Sequence, residues 1–163
     1  MNRLIQWLKK KGPVEWHEVA YTYNWDYDLK PLMWIASQAE CDRSTAQMLF
    51  LRAIPEEFLV YSSQEEAGND QAFTLCRIIV ERWNAGLYHS NRFPSSEDFN
   101  DISNLEHYRD VEQTVIDEYG DVPWEAPDEI FFRLGGRKRI IDFSEYPGGY
   151  PEEVMDPNFD IKA

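Results

Sequence analysis

The chain predicts a mainly α fold, on three kinds of signal. Apolar residues recur at helical spacing, capping residues stand ahead of those stripes, and glycines or prolines close them. Residues 1 to 11 read as a short helix with Leu4, Ile5 and Leu8 turned inward. Pro13 suits the first turn of the next helix, where its missing N–H costs nothing. From there Trp16, Val19, Ala20 and Tyr23 fall at i, i+3, i+4 and i+7. Asn24-Trp25-Asp26 breaks the pattern as a turn, since Asn and Asp side chains bond nearby backbone.

Asp28 reads as the cap of a further helix with Pro31 in its first turn and Leu32, Ile35, Ala36 and Ala39 as its stripe. Asp42 reads as another cap, ahead of Ala46, Leu49, Phe50 and Ala53. Pro55 ends that helix, because the residue before a proline is pushed out of the α region. Three such stripes cannot be buried separately, so the helices are expected to pack together.

Beyond Pro55, Glu56 to Val60 continues as a short helical turn and Ser62 to Gly68 as a polar loop. A longer helix starts near Asn69, with Phe73, Cys76, Ile79, Val80 and Trp83 inward and Gly86 at its end. His89 to Asp98 is a loop rich in Ser, Asn and Pro. Ser103 and Glu106 form a capping box. The helix they open carries Tyr108, Val111, Val115 and Tyr119 as its stripe, and Gly120 closes it. From Asp121 onward recurrent prolines exclude long helices. Ile130 to Leu134 and Arg139 to Phe143 flank Gly135-Gly136, the pattern of a small β-hairpin. The organisation expected is one compact helical domain with that hairpin over residues 1–143, then an irregular acidic tail over 144–163. Tyr146 and Phe159 are placed to pin the tail.

The 163 residues suffice for one domain with a proper core. Two cysteines, Cys41 and Cys76, give neither a disulfide framework nor a metal spacing, and buried thiols suit a reducing cytosol. The apolar run near the N-terminus is too short for a signal peptide, and no stretch reaches the length of a membrane span. A cytoplasmic protein is therefore expected.

Tyr23-Asn24-Trp25-Asp26, Leu32, Ile35, Cys41-Asp42, Thr45-Ala46, Phe50 and Arg52-Ala53 before Pro55 together carry a resemblance. This spacing, over residues 16 to 55, resembles a small bacterial family, domain of unknown function 4274. The resemblance implies no catalytic activity. It implies a setting like that of the small acidic proteins encoded beside polymorphic toxins, Rhs-type toxins among them, which act as immunity proteins.

The net charge is −14, and it is unevenly spread. Residues 1–60 and 61–94 each carry −1, whereas residues 95–130 hold twelve acids and one base. Residues 131–139 hold four bases and no acid. Such acidity argues against nucleic acid or an anionic membrane as partner and is suited to a basic protein. Glu106, Asp110, Asp117 and Asp121 lie broadly on one side of their helix, with Glu118 beside them. Like charges at that spacing cost a helix a few tenths of a kcal/mol per pair, a repulsion that a basic partner relieves. Trp124, Tyr108, Tyr119 and Phe99 are the candidate aromatic anchors. The expected partner is a cognate toxin domain from the adjacent gene. Its basic cleft, built for an anionic substrate, is filled by carboxylates and rings.

Enzyme chemistry is not expected. His17, His89 and His107 make no metal-helix spacing, and neither a nucleophile elbow nor a phosphate loop is present. Gly135-Gly136-Arg137-Lys138-Arg139 offers backbone and bases to a phosphate, but a solvated turn accounts for it as well. Asp26 with Asp28, or Glu152 with Glu153, works as an acid–base pair only if burial separates their pKa values. No cofactor and no metal is expected.

Overall fold

The centre of the molecule is a helix buried on every side. In a computed structural model, which describes residues 2–137 and 146–156, this is α4 (Arg43–Arg52). Around it stand α1 (Arg3–Leu8), α2 (Pro13–Thr22), α3 (Lys30–Ala36), α5 (Gln71–Asn84), the short α6 (Phe99–Ile102) and α7 (Leu105–Tyr119). Among the described residues there is no strand; one isolated bridge joins Asp42 to Ser90.

The helices start where their caps dictate. Asn2, Asp42 and Asp70 each accept a bond from a first-turn N–H through the side chain. Glu15 closes the start of α2 by accepting from the Gly12 N–H at 3.1 Å. Asp28 sits one residue further out than a cap. It accepts from the Lys30 N–H, and Leu29 takes the cap position. Gln71 locks that corner, accepting from the Leu29 N–H at 2.8 Å and donating to Asp28 at 2.9 Å.

The predicted stripes are buried with few exceptions. Trp16, Val19, Ala20 and Tyr23 of α2, Leu32, Ile35 and Ala36 of α3, and Phe73, Cys76, Ile79, Val80 and Trp83 of α5 lie in one core. Ala39 does not, because α3 ends at Ala36 and leaves it exposed. On α1 the inward residues are Leu4, Trp7 and Leu8, with Ile5 at the edge. Trp25 is half-buried, and Asn24 holds the Asp26 N–H as the turn requires.

After α4 the chain reverses sharply. Ile54 takes a left-handed conformation, φ 57° and ψ 66°, and Pro55 opens a 3₁₀ turn, Pro55–Phe58. Gly86 and Gly120 end α5 and α7 with positive φ, as their positions predict.

The expected hairpin is not what the first arm makes. Asp128–Phe131 is a 3₁₀ turn, and the extended chain after it runs beside residues 92–95 instead. Ser95 N–H donates to the Leu134 carbonyl and Arg137 N–H to the Arg92 carbonyl. Gly136 allows this approach, since a Cβ there would collide with the backbone of Phe93 and Pro94. Residues 139–143 of the second arm lie outside the described residues, as does Phe159.

The start of the tail is docked. Tyr146 meets Trp7 edge-on at 6.4 Å, Thr22 donates to the Gly148 carbonyl, and Val154 is fully buried against α1. Arg3 Nε donates to the Val154 carbonyl at 3.0 Å.

Candidate functional site

The charge concentration predicted for residues 95–130 lies mainly on α7. Its cap is Asn104, which accepts from the His107 N–H at 2.9 Å. Ser103, expected to cap it, instead donates its hydroxyl to the Phe131 carbonyl at 2.8 Å. A buried acceptor close by outcompetes the cap position for that hydroxyl. The inner stripe is Tyr108 and Val115, with Val111 at the margin.

The outer side carries Glu106, Asp110 and Asp117 within a narrow sector, with Gln113 and Thr114 between them, all exposed. Glu118 flanks that sector, and Asp121 is exposed just past Gly120, where the left-handed turn has ended the helix and its spacing no longer applies. Gln113 donates to Asp117 at 2.9 Å. None of these carboxylates meets a base at ion-pair distance among the described residues.

Arg109, the sole base of residues 95–130, stands on the flank of that sector but is turned to partners beside the body. Its guanidinium holds Glu112 at 2.9 Å, the Ala126 carbonyl at 3.1 Å, and Asp128. Burial opposes its charge, but Asp128 and Glu112 outweigh that and raise its pKa. Asp98 is likewise taken, by Arg52 at 2.9 Å. The outer sector is thus left negative while the acids near the core are neutralised.

The aromatic anchors fall differently from expectation. Tyr108 is 1% exposed and lies tilted on Phe131 at 4.8 Å. Trp124 is 6% exposed, packs on Phe73, and donates its indole N–H to the Phe58 carbonyl at 3.1 Å. Phe99 is buried with Arg133 over its ring at 4.9 Å. These three rings are core, because the segment after α7 folds back and needs apolar weight to hold it. Tyr119 alone is open, at 70% exposure. It lies on the Tyr108–Val115 stripe, one turn beyond the body that covers the others.

The other polar clusters are structural. Asp42 is buried, accepting from the Ser44 N–H at 3.0 Å and the Arg92 N–H at 2.5 Å. Burial pushes its carboxyl pKa up, and the backbone donors of Arg92 and Ser44 pull it partly back. Gln47 donates to the carbonyls of Ile130 and Phe132 and accepts from the Ser95 hydroxyl. Ser44 donates to the Pro94 carbonyl. His17 is buried with Nδ1 at 2.8 Å from the Thr45 hydroxyl and Phe93 over its ring. Periodicity alone gave no sign of this polar side of α4; the signal was Ser44, Thr45 and Gln47 within a helix flanked by others.

The remaining candidates separate as well. Asp26 and Asp28 are exposed, and so are Glu152 and Glu153. The Arg137 N–H, one donor of the glycine-rich stretch, is used on Arg92. Cys41 and Cys76 are buried free thiols whose pKa burial raises. Among the described residues no group of three or more His, Cys, Asp or Glu side chains is placed to hold a metal ion. No helix among them is long and apolar enough to cross a membrane.

Residues 11–84 match the model of the domain of unknown function DUF4274. The match runs past the motif at 16–55, taking in α2 to α5, and stops before α7. No curated protein and no solved structure matches the chain.

Proposed function

We propose that this chain is an immunity protein, which binds a cognate antibacterial toxin domain and blocks its active-site cleft. The observation that carries the reading is the outer sector of α7, with Glu106, Asp110 and Asp117 exposed, Asp121 exposed just beyond, and none of them at ion-pair distance from a base among the described residues. The setting implied by the matched family supports it. A toxin acting on an anionic substrate, an NAD-consuming ADP-ribosyltransferase or a nuclease, needs a basic cleft. Carboxylates opposite that cleft speed encounter and sharpen partner choice more than they set affinity. With Tyr108 and Trp124 in the core, the inhibitory surface is carboxylate-dominated, and Tyr119 is the ring left for contact. The protein acts in the cytoplasm of the producing cell, without catalysis, cofactor or metal, on a protein partner rather than nucleic acid or membrane.

Co-expression with the product of the adjacent gene tests this, scored by survival and co-purification. Charge reversal at Asp110, Asp117 and Glu118 is expected to weaken the complex and flatten its salt dependence. Unchanged protection by the reversed variant overturns the α7 face. A purified complex whose toxin is still active overturns inhibition and leaves a toxin-associated adaptor or chaperone.

A further inference from the structure

We infer that Ile54 is the apolar anchor of the partner-binding surface, seated in a recess of a basic protein whose cations meet the carboxylates around it. The inference rests on the reading of α7 given above and adds what that face lacks, a point of apolar contact at its N-terminal end.

Ile54 is penalised twice where it stands. Its backbone is left-handed, at φ 57°, a conformation that crowds a β-branched side chain. Its side chain is also poorly rewarded by burial, at 46% exposure. Among the described residues the other non-glycine residue with positive φ is Asn69, a type that tolerates the conformation. The hydrogen bonds of the turn are made by the Ile54 backbone. The Ile54 N–H donates to the Leu51 carbonyl at 3.3 Å and its carbonyl accepts from the Glu57 N–H at 3.1 Å. Asn or Gly would make the same turn with less strain. An outlier of this kind, held on the surface, points to a contact made outside the chain.

The surroundings give that contact its chemistry. Glu57 is exposed, and Glu56 lies 3.7 Å from His107 Nε2, which joins the turn to the first turn of α7. Glu106 stands next to His107, and Asp110 follows one turn on. The nearby guanidinium groups are engaged, Arg52 on Asp98 and Arg109 on Glu112 and Asp128. An apolar residue followed by Glu56 and Glu57, on a turn that Glu56 ties to the carboxylate-bearing start of α7, matches an apolar recess rimmed by Lys or Arg, the arrangement of a buried anchor within a polar rim.

The test uses the full-length chain and the toxin domain from the adjacent gene. Affinity is measured by titration calorimetry for the native chain, Ile54→Asn, Ile54→Gly and Asp110→Lys, and each is melted alone. Both Ile54 variants are expected to melt no lower than the native chain, while binding about tenfold more weakly with an unchanged salt slope. Affinity within about twofold of native in both variants overturns the anchor. So does a melting temperature that falls by several degrees in both, which would make Ile54 a structural residue. Loss of affinity on Asp110→Lys alone sinks the anchor but keeps the α7 face; a native chain that does not bind the domain sinks both.

Discussion

In α4, Ser44, Thr45 and Gln47 are buried polar residues, and each finds a partner inside the protein. In α7, Glu106, Asp110 and Asp117 are exposed and meet no base at ion-pair distance among the described residues. The first arrangement fixes where the loops at 90–96 and 130–134 lie, since a buried polar group left unpaired is expensive. The second makes only a bond within its own helix, from Gln113 to Asp117, and its like charges slightly oppose that helix. The family match covers the first region and stops before the second. We read the contrast as a frame that carries, at its edge, the binding face proposed above. Damage to the frame should then appear as lost stability, and damage to the face as altered binding with the fold intact.

Two tyrosines on one stripe of α7 set the largest contrast. Tyr108 is 1% exposed and Tyr119 is 70% exposed. Tyr108→Ala is expected to cost about 3–5 kcal/mol by cavity formation under Phe131. Tyr119→Ala should stay within about 0.5 kcal/mol of the native chain. Urea unfolding of both variants measures this. Equal losses would mean that the frame extends to the end of α7 and that the division is wrong.

Asp42 comes next, as the joint between α4 and the loop at 90–93. Asp42→Ala removes a helix cap and leaves the Arg92 N–H without an acceptor, about 2–4 kcal/mol together. Asp42→Asn keeps the cap but turns an amide donor towards that N–H, so it should cost less. The two states also titrate differently. Burial holds the folded-state pKa above the ordinary value of 3.8. The associated stability is complete below that ordinary value and is lost as pH rises through the folded-state pKa. The advantage of the native chain over Asp42→Asn should therefore shrink as pH rises from acid towards neutral. Urea midpoints of both proteins across that range give the slope, and an advantage that grows with pH would reverse the assignment.

Much of the frame is legible in the sequence, because caps and stripes are local. Asp42, Asp70 and Gly86 mark helix ends through bonds made within a few residues. What escapes local reading depends on distant chain. Ser103 loses the cap of α7 to Asn104 because the Phe131 carbonyl arrives from 28 residues away. Trp124 looks like a surface ring within an acidic stretch, but the chain folds back and spends it on Phe58 and Phe73. Tyr108 is a different case. Helical spacing already puts it on the inner stripe, which contradicts its use as an anchor. The strain at Ile54 is half legible: Pro55 bars the α region, yet nothing local selects the left-handed alternative over an extended one.

Asp110→Lys gives the smallest effect and the sharpest division between frame and face. It replaces the Glu106–Asp110 repulsion with a Glu–Lys pair at i, i+4 in the favourable order. The Asp110 carboxylate forms no bond that the fold requires; its backbone carbonyl, which accepts from the Thr114 hydroxyl, is retained. The isolated variant should gain a few tenths of a kcal/mol at low salt, and the gain should fade as salt screens the pair. Binding should move the other way, weakening while stability rises. Opposite signs in one substitution are expected of a face kept at a cost to the helix that carries it. A variant less stable than the native chain at low salt would place Asp110 in the frame.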